Sequence, residues 1–177
     1  MKALVLFSGG IDSTTALALA INKYGKDRVI ALSVSYGQKH DKEIQAAIAV
    51  AEYYGVEHLF LDLRKIFTYS NCSLLKQSTE KIPEESYAKQ ISKTNGETPV
   101  STYVPFRNGL FLSSAASIAL SKDCEVIYYG AHADDSAGFA YPDCSPVFNR
   151  AMNEAIWEGS DISLRLKHLL SMSPRLR

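Results

Sequence analysis

The stretch Ser8-Gly9-Gly10-Ile11-Asp12-Ser13 brings together two glycines, two hydroxyls and a carboxylate. Glycine lacks a Cβ, so the backbone there can curl and approach a ligand closely. An apolar run without alternation, Ala3 to Phe7, precedes it, as in a strand covered on both faces. A helical pattern begins at about Ser13, which places Asp12 or Ser13 to cap that helix. The N–H groups at a helix start lack partners and, backed by the dipole, attract anions. The chemistry implied is a phosphate cradle over residues 8–15. No lysine follows Gly10, so this is not a Walker-A loop, and Gly-x-Gly-x-x-Gly does not fit either. The plainer alternative is a glycine-rich turn without a ligand.

The remaining chain must hold such a loop at the edge of a sheet. Leu17, Ala20, Ile21 and Tyr24 share one helical face, and Gly25 is placed to end the helix. A second strand is expected over Val29 to Tyr36, a helix over Asp41 to Tyr54, and a third strand over Glu57 to Leu63. Residues 64–102 break the rhythm and read as either a lid or a passive insertion, with a short helix near Glu84 to Ser92. Asn108 to Ser121 is apolar or small nearly all round, as a buried helix is. A fourth strand over Glu125 to Gly130 and a helix opened by Pro146 complete the pattern. Alternating strands and helices predict an α/β fold, a Rossmann-like open parallel sheet with helices on both faces.

Composition narrows the function. The chain has 177 residues, 46% hydrophobic and 21% charged, which suits one ordinary domain with a sizeable core. The formal net charge is zero, which disfavours a nucleic-acid partner. No run is long enough to span a membrane, and the first residues do not read as a signal peptide. Three cysteines, Cys72, Cys124 and Cys144, are distant and odd in number, as expected in a reducing cytoplasm.

Three further polar clusters fall where strands end or helices begin: Tyr36-Gly37-Gln38-Lys39-His40, Pro105-Phe106-Arg107-Asn108-Gly109, and Gly130 to Asp135 followed by Tyr141-Pro142-Asp143-Cys144. Open parallel sheets bind their ligands at such places. The Ser-Gly-Gly-x-Asp-Ser loop resembles the pyrophosphate loop of the N-type ATP pyrophosphatases, and the four clusters together resemble the 7-cyano-7-deazaguanine synthases of queuosine precursor biosynthesis. The resemblance covers roughly residues 1–159 and implies an adenine-nucleotide alpha hydrolase-like fold. It also implies a reaction that turns 7-carboxy-7-deazaguanine, ammonia and ATP into a nitrile through an acyl-adenylate and an amide, with Mg²⁺ present.

On that resemblance, ATP is expected along Phe7, Ser8, Gly9, Gly10, Ile11, Asp12, Ser13, Thr14, Thr15, Ala16 and Leu17. Asp12 is a candidate Mg²⁺ ligand and equally a candidate helix cap. Arg107 would fork onto phosphate oxygens; otherwise it makes a surface salt bridge. Lys39 and His40 would meet phosphate or product, or else are solvated loop charges. Asp134, Asp135 and Asp143 would accept the donor edge of the base, and Tyr141 would stack on it, unless Asp143 caps the helix after Pro146 and Tyr141 is core. Cys144 reads as a small buried residue.

The family carries a zinc-binding four-cysteine part toward its C-terminus, and its cysteines have no counterpart in this sequence. Ser160 to Arg177 does not match the family pattern and suggests a truncated or frame-shifted product. Alternatively, the tail forms a short amphipathic helix with Leu166, Leu169 and Leu170 docked on the body. A homodimer is left open. The competing readings are another amide-forming or tRNA-thiolating ATP pyrophosphatase, or a nucleotide-binding remnant without turnover.

Overall fold

The computed structural model describes residues 1–39, 42–83, 89–90, 92, 98–131, 133–160 and 164–168. Its centre is a sheet of five parallel strands in the order β3-β2-β1-β4-β5. The strands are β1 (Ala3–Leu6), β2 (Val29–Ser35), β3 (Glu57–Asp62), β4 (Val126–Tyr129) and β5 (Arg165–His168). The helices are α1 (Ile11–Tyr24), α2 (Lys42–Tyr54), the one-turn α3 (Arg64–Phe67), α4 (Arg107–Ser121) and α5 (Pro146–Glu158).

Side chains alternate across a strand, so β1 feeds two cores. Ala3, Val5 and Phe7 pack with Ala16, Leu17 and Ala20 of α1 and Ala47 and Ala51 of α2. Leu4 turns to the opposite face, with Leu112, Ala115 and Ala119 of α4 and Ile156 of α5. Leu112 is fully buried, a contribution of about 1.5–3 kcal/mol. Helices therefore cover both faces, and the apolar runs of β1 and β4 are explained by burial on two sides. Tyr24 and Tyr128 join α1 to β4 through a buried hydroxyl pair at 3.0 Å.

Where the structure departs from sequence expectation, the cause is tertiary. The helix-forming alternative for the tail is overturned around Leu166, which lies in β5, paired with Ile127 of β4. An open sheet edge supplied hydrogen-bond partners that an amphipathic pattern cannot reveal. Leu169 and Leu170 lie outside the described residues. So do residues 84–88 and 91 of the short helix expected in the insertion. Earlier in that insertion, Leu75 bridges Gln38, Lys39 N–H donates to the Leu74 carbonyl at 2.9 Å, and Lys76 N–H donates to that of Gly37 at 2.8 Å. No helix among the described residues is long and apolar enough to cross a membrane.

Candidate active site

Strand β1 is the switch point of the sheet: the chain leaves it toward β2 on one side and returns as β4 on the other. Ligands of open parallel sheets bind in the crevice beyond the strand ends at that point. A cavity of about 410 Å³ lies there, lined by Leu6 of β1 with the following Phe7, by Leu32, Ser33 and Val34 of β2, and by Tyr129 of β4 with the following Gly130. That volume falls in the roughly 300–1,000 Å³ range of small-molecule sites.

One wall is the glycine loop. Gly9 has φ +83°, and a Cβ there would lie 2.6 Å from the Ala47 amide nitrogen, so the loop rests directly on the backbone of α2. Gly10 has φ −76° and serves as N-cap of α1. A Cβ there would meet only Ser8 Oγ, at 3.5 Å. The loop braces itself: Ser13 Oγ donates to the Gly10 carbonyl at 3.0 Å and accepts Ser8 N–H at 3.2 Å, while Gly10 N–H reaches Ser8 Oγ at 3.4 Å. Neither Asp12 nor Ser13 caps α1, contrary to expectation, because Gly10 occupies the N-cap and no side chain closes it. The start of α1 is thus open at a cavity that Gly10, Asp12 and Ser13 line.

The facing wall carries Arg107, the first residue of α4. Among the described residues its guanidinium makes one hydrogen bond, from Nη1 to Tyr36 Oη at 3.2 Å, and lies 5.3 Å from the centre of that ring. Among the described residues it forms no surface salt bridge. Burial works against its charge, but Tyr36 and Asp143 outweigh this and hold its pKa above the ordinary value. Burial likewise raises the Tyr36 phenol, partly offset by Arg107, so Tyr36 donates no negative charge to the pair at neutral pH. A cation at a cavity, whose one hydrogen bond among the described residues goes to a phenol, is suited to an anionic ligand.

The floor holds a polar relay. Ser33 Oγ donates to the Phe7 carbonyl at 2.6 Å, so its lone pairs face His58 Nε2 at 2.8 Å, which must carry the proton. Burial lowers the His58 pKa, consistent with a neutral ring. Ser33 was not singled out from the sequence; its signal was a hydroxyl inside the apolar run from Val29 to Val34.

Over residues 2–172 the chain matches the family described as queuosine biosynthesis protein QueC. It belongs to the QueC family. The chain is 42% identical over 168 residues to the 7-cyano-7-deazaguanine synthase of Thermoplasma volcanium, covering 94% of this chain and 64% of that protein. For the 7-cyano-7-deazaguanine synthase of Oceanobacillus iheyensis the figures are 40% over 161 residues, 90% and 67%. The chain therefore spans 64–67% of the length of these curated relatives. Among solved structures, the NH3-dependent NAD synthetase from Campylobacter jejuni is similar with a TM-score of 0.49 at 15% identity, over 79% of this chain and 52% of that one.

Within this QueC-family chain, the residues expected to bind ATP divide. Phe7, Ser8, Gly10, Asp12 and Ser13 line the cavity. Gly9 packs on α2 instead, Ile11 is 86% exposed, and Ala16 and Leu17 are core. Thr14 gives its N–H to the Gly10 carbonyl, and the Thr15 hydroxyl turns back to that of Ile11. Lys39 lines the cavity while its Nζ donates to the Glu80 carbonyl at 3.1 Å. His40 and the side chain of Asp134 lie outside the described residues.

Asp135 and Cys144 line the cavity; Tyr141 and Asp143 do not. Tyr141 is buried with its hydroxyl on Thr102. Asp143 is not the cap of α5 either, because Ser145 Oγ accepts Phe148 N–H there at 3.1 Å. Instead Asp143 Oδ2 accepts the N–H of Asn108 at 2.8 Å. Cys144 is buried as expected, and burial followed by the nearby Asp143 and Asp135 pushes its thiol up to about 12, so it is no thiolate nucleophile.

Proposed function

We propose that this chain activates 7-carboxy-7-deazaguanine with ATP, so that ammonia converts it to the nitrile 7-cyano-7-deazaguanine, the product in its relatives' names. The observation that carries this reading is the pairing across one cavity of an uncapped helix start with a guanidinium whose one described partner is a phenol. Amides at the start of α1, with the hydroxyls of Ser8 and Ser13, would hold the β- and γ-phosphates. Arg107 would fork onto phosphate oxygens from the other side. Asp12, an exposed carboxylate at the cavity rim, fits Mg²⁺, which is commonly held by one or two carboxylates plus phosphate oxygens and neutralises their charge. Cys72, Cys124 and Cys144 sit in three separate clusters and do not fit a zinc site among themselves.

A carboxylate is a weak electrophile, so activation must precede amination. Its oxygen attacks the α-phosphorus of ATP, pyrophosphate leaves, and an acyl-adenylate forms. Ammonia adds to the acyl carbon, AMP leaves, and a proton is lost to give the amide. The amide oxygen then attacks the α-phosphorus of a second ATP, pyrophosphate leaves and the nitrogen loses one proton; departure of AMP with loss of the other nitrogen proton leaves the nitrile. Both activations are in-line displacements in which positioning and charge stabilisation supply most of the catalysis. Asp135, at the cavity wall, would accept the paired N–H groups of the guanine-like edge, with Asp134 beside it in sequence as the second candidate. The small-molecule substrates and a cytoplasmic setting belong to the same proposal.

The test is mass spectrometry of a mixture of this chain with ATP, Mg²⁺, ammonium and the 7-carboxy base. Formation of the nitrile with AMP and pyrophosphate is expected. Capture of ATP with no AMP formed would instead support a nucleotide-binding remnant.

A further inference from the structure

Helix α4 starts in an unusual way. Its N-cap, Phe106, has φ +54°, in the left-handed region, and offers no side-chain acceptor to the amides that follow. The missing acceptor comes from 35 residues downstream, as Asp143 Oδ2, on Asn108 N–H. The exchange is reciprocal: Asn108 Nδ2 donates to the Asp143 carbonyl at 3.2 Å and to Cys144 Sγ at 3.2 Å. Asp143 is 3% exposed and does not line the cavity, although its neighbours Arg107, Asn108 and Cys144 do. Tyr103 Oη holds Phe106 N–H at 2.8 Å, so the turn into α4 is gripped on both sides of Arg107.

We propose that Asp143 is a positioning residue that closes the N-terminus of α4 and thereby aims Arg107 at the cavity, and that it does not itself contact the base. Asp143 Oδ2 is engaged by a backbone amide and Asp143 is absent from the cavity lining, so a base in the cavity meets Asp135 there and not Asp143. Burial raises its pKa, while the Asn108 amide and Arg107 pull it back, as suits a capping carboxylate beside a cation. The inference rests on the reading of Arg107 as a phosphate ligand.

The experiment is a double-mutant cycle on this chain, read as inorganic pyrophosphate affinity by calorimetry, with Asp143→Ala, Asp143→Asn and Arg107→Met. Asparagine retains an acceptor for Asn108 N–H, whereas alanine does not. Asp143→Ala is expected to weaken pyrophosphate binding by about five- to tenfold, the range for a lost N-cap. Asp143→Asn should stay within about twofold of the parent, and Asp143→Ala should cost nothing further once Arg107 is Met. A merely structural role would give the same loss in both backgrounds and would overturn the proposal. Loss of 7-carboxy base affinity in Asp143→Asn with pyrophosphate affinity intact would also overturn it. If Arg107→Met alone leaves pyrophosphate affinity unchanged, it is the phosphate reading of Arg107 that fails.

Discussion

The two walls of the cavity are built on opposite principles. The glycine-loop wall is local: Ser8, Gly10 and Ser13 hydrogen-bond within five residues of one another, and the loop follows directly from β1. The Arg107 wall is assembled from distant pieces, with Arg107 held by Tyr36 from 71 residues away and Asn108 by Asp143 from 35. A local loop can keep its shape while its ligand contacts are altered. A non-local wall transmits changes made far from the ligand, because its side chains are aimed by other segments.

The sharpest break in that comparison lies inside the loop. Gly9→Ala forces a side chain into a positive φ against the α2 backbone and is expected to destabilise the fold by about 2–4 kcal/mol. Gly10→Val has an ordinary φ and its Cβ meets only Ser8 Oγ, at 3.5 Å, so it should lower the melting temperature far less than Gly9→Ala and weaken ATP binding about tenfold or more. Thermal melts and an ATP titration of both variants check this. On the other wall, Arg107→Met should weaken triphosphate binding by roughly ten- to a hundredfold, the cost of lost charge-assisted hydrogen bonds. The same change should move the stability of the ligand-free chain by no more than about 1 kcal/mol, because relief of the buried charge offsets the lost Tyr36 contact.

A smaller effect concerns the floor. The folded pKa of His58 lies below its unfolded value of 6.5, so the unfolded chain takes up the proton first. The stability it contributes is full above pH 6.5 and is lost as pH falls through the folded value. Melts taken from neutral pH down to about pH 5 should show this decline in the parent and a flatter one in His58→Phe. The smallest effect is expected at Asp62, lowered to about 2 by its hydrogen bonds with exposed Arg64. Any stability from that pair is present above pH 3.8 and lost as pH falls through about 2, so Asp62→Asn should melt like the parent at neutral pH.

The contrast between the walls also explains what the sequence could convey. Strands β1 to β4 and helices α1, α2, α4 and α5 were legible because burial on one or two faces writes a period into the residues. The phosphate loop was legible because its contacts lie within one short stretch. The role of Asp143 was not, since nothing near it announces a helix start 35 residues earlier that lacks its own cap. For Tyr141 the sequence left a stacking ring and a core aromatic equally open, because the buried hydroxyl partner, Thr102, lies 39 residues away. Strand β5 was hidden because Arg165 to His168 alternates too briefly, and the edge of β4 decides its conformation.

The most direct test is a crystal structure of this chain with a non-hydrolysable ATP analogue and Mg²⁺. The triphosphate is expected between the Ser8–Ser13 loop and the Arg107 guanidinium, with its base beyond the end of β2. A triphosphate bound elsewhere, with the loop and Arg107 making no contact to it, would contradict the assignment of this cavity as the ATP site.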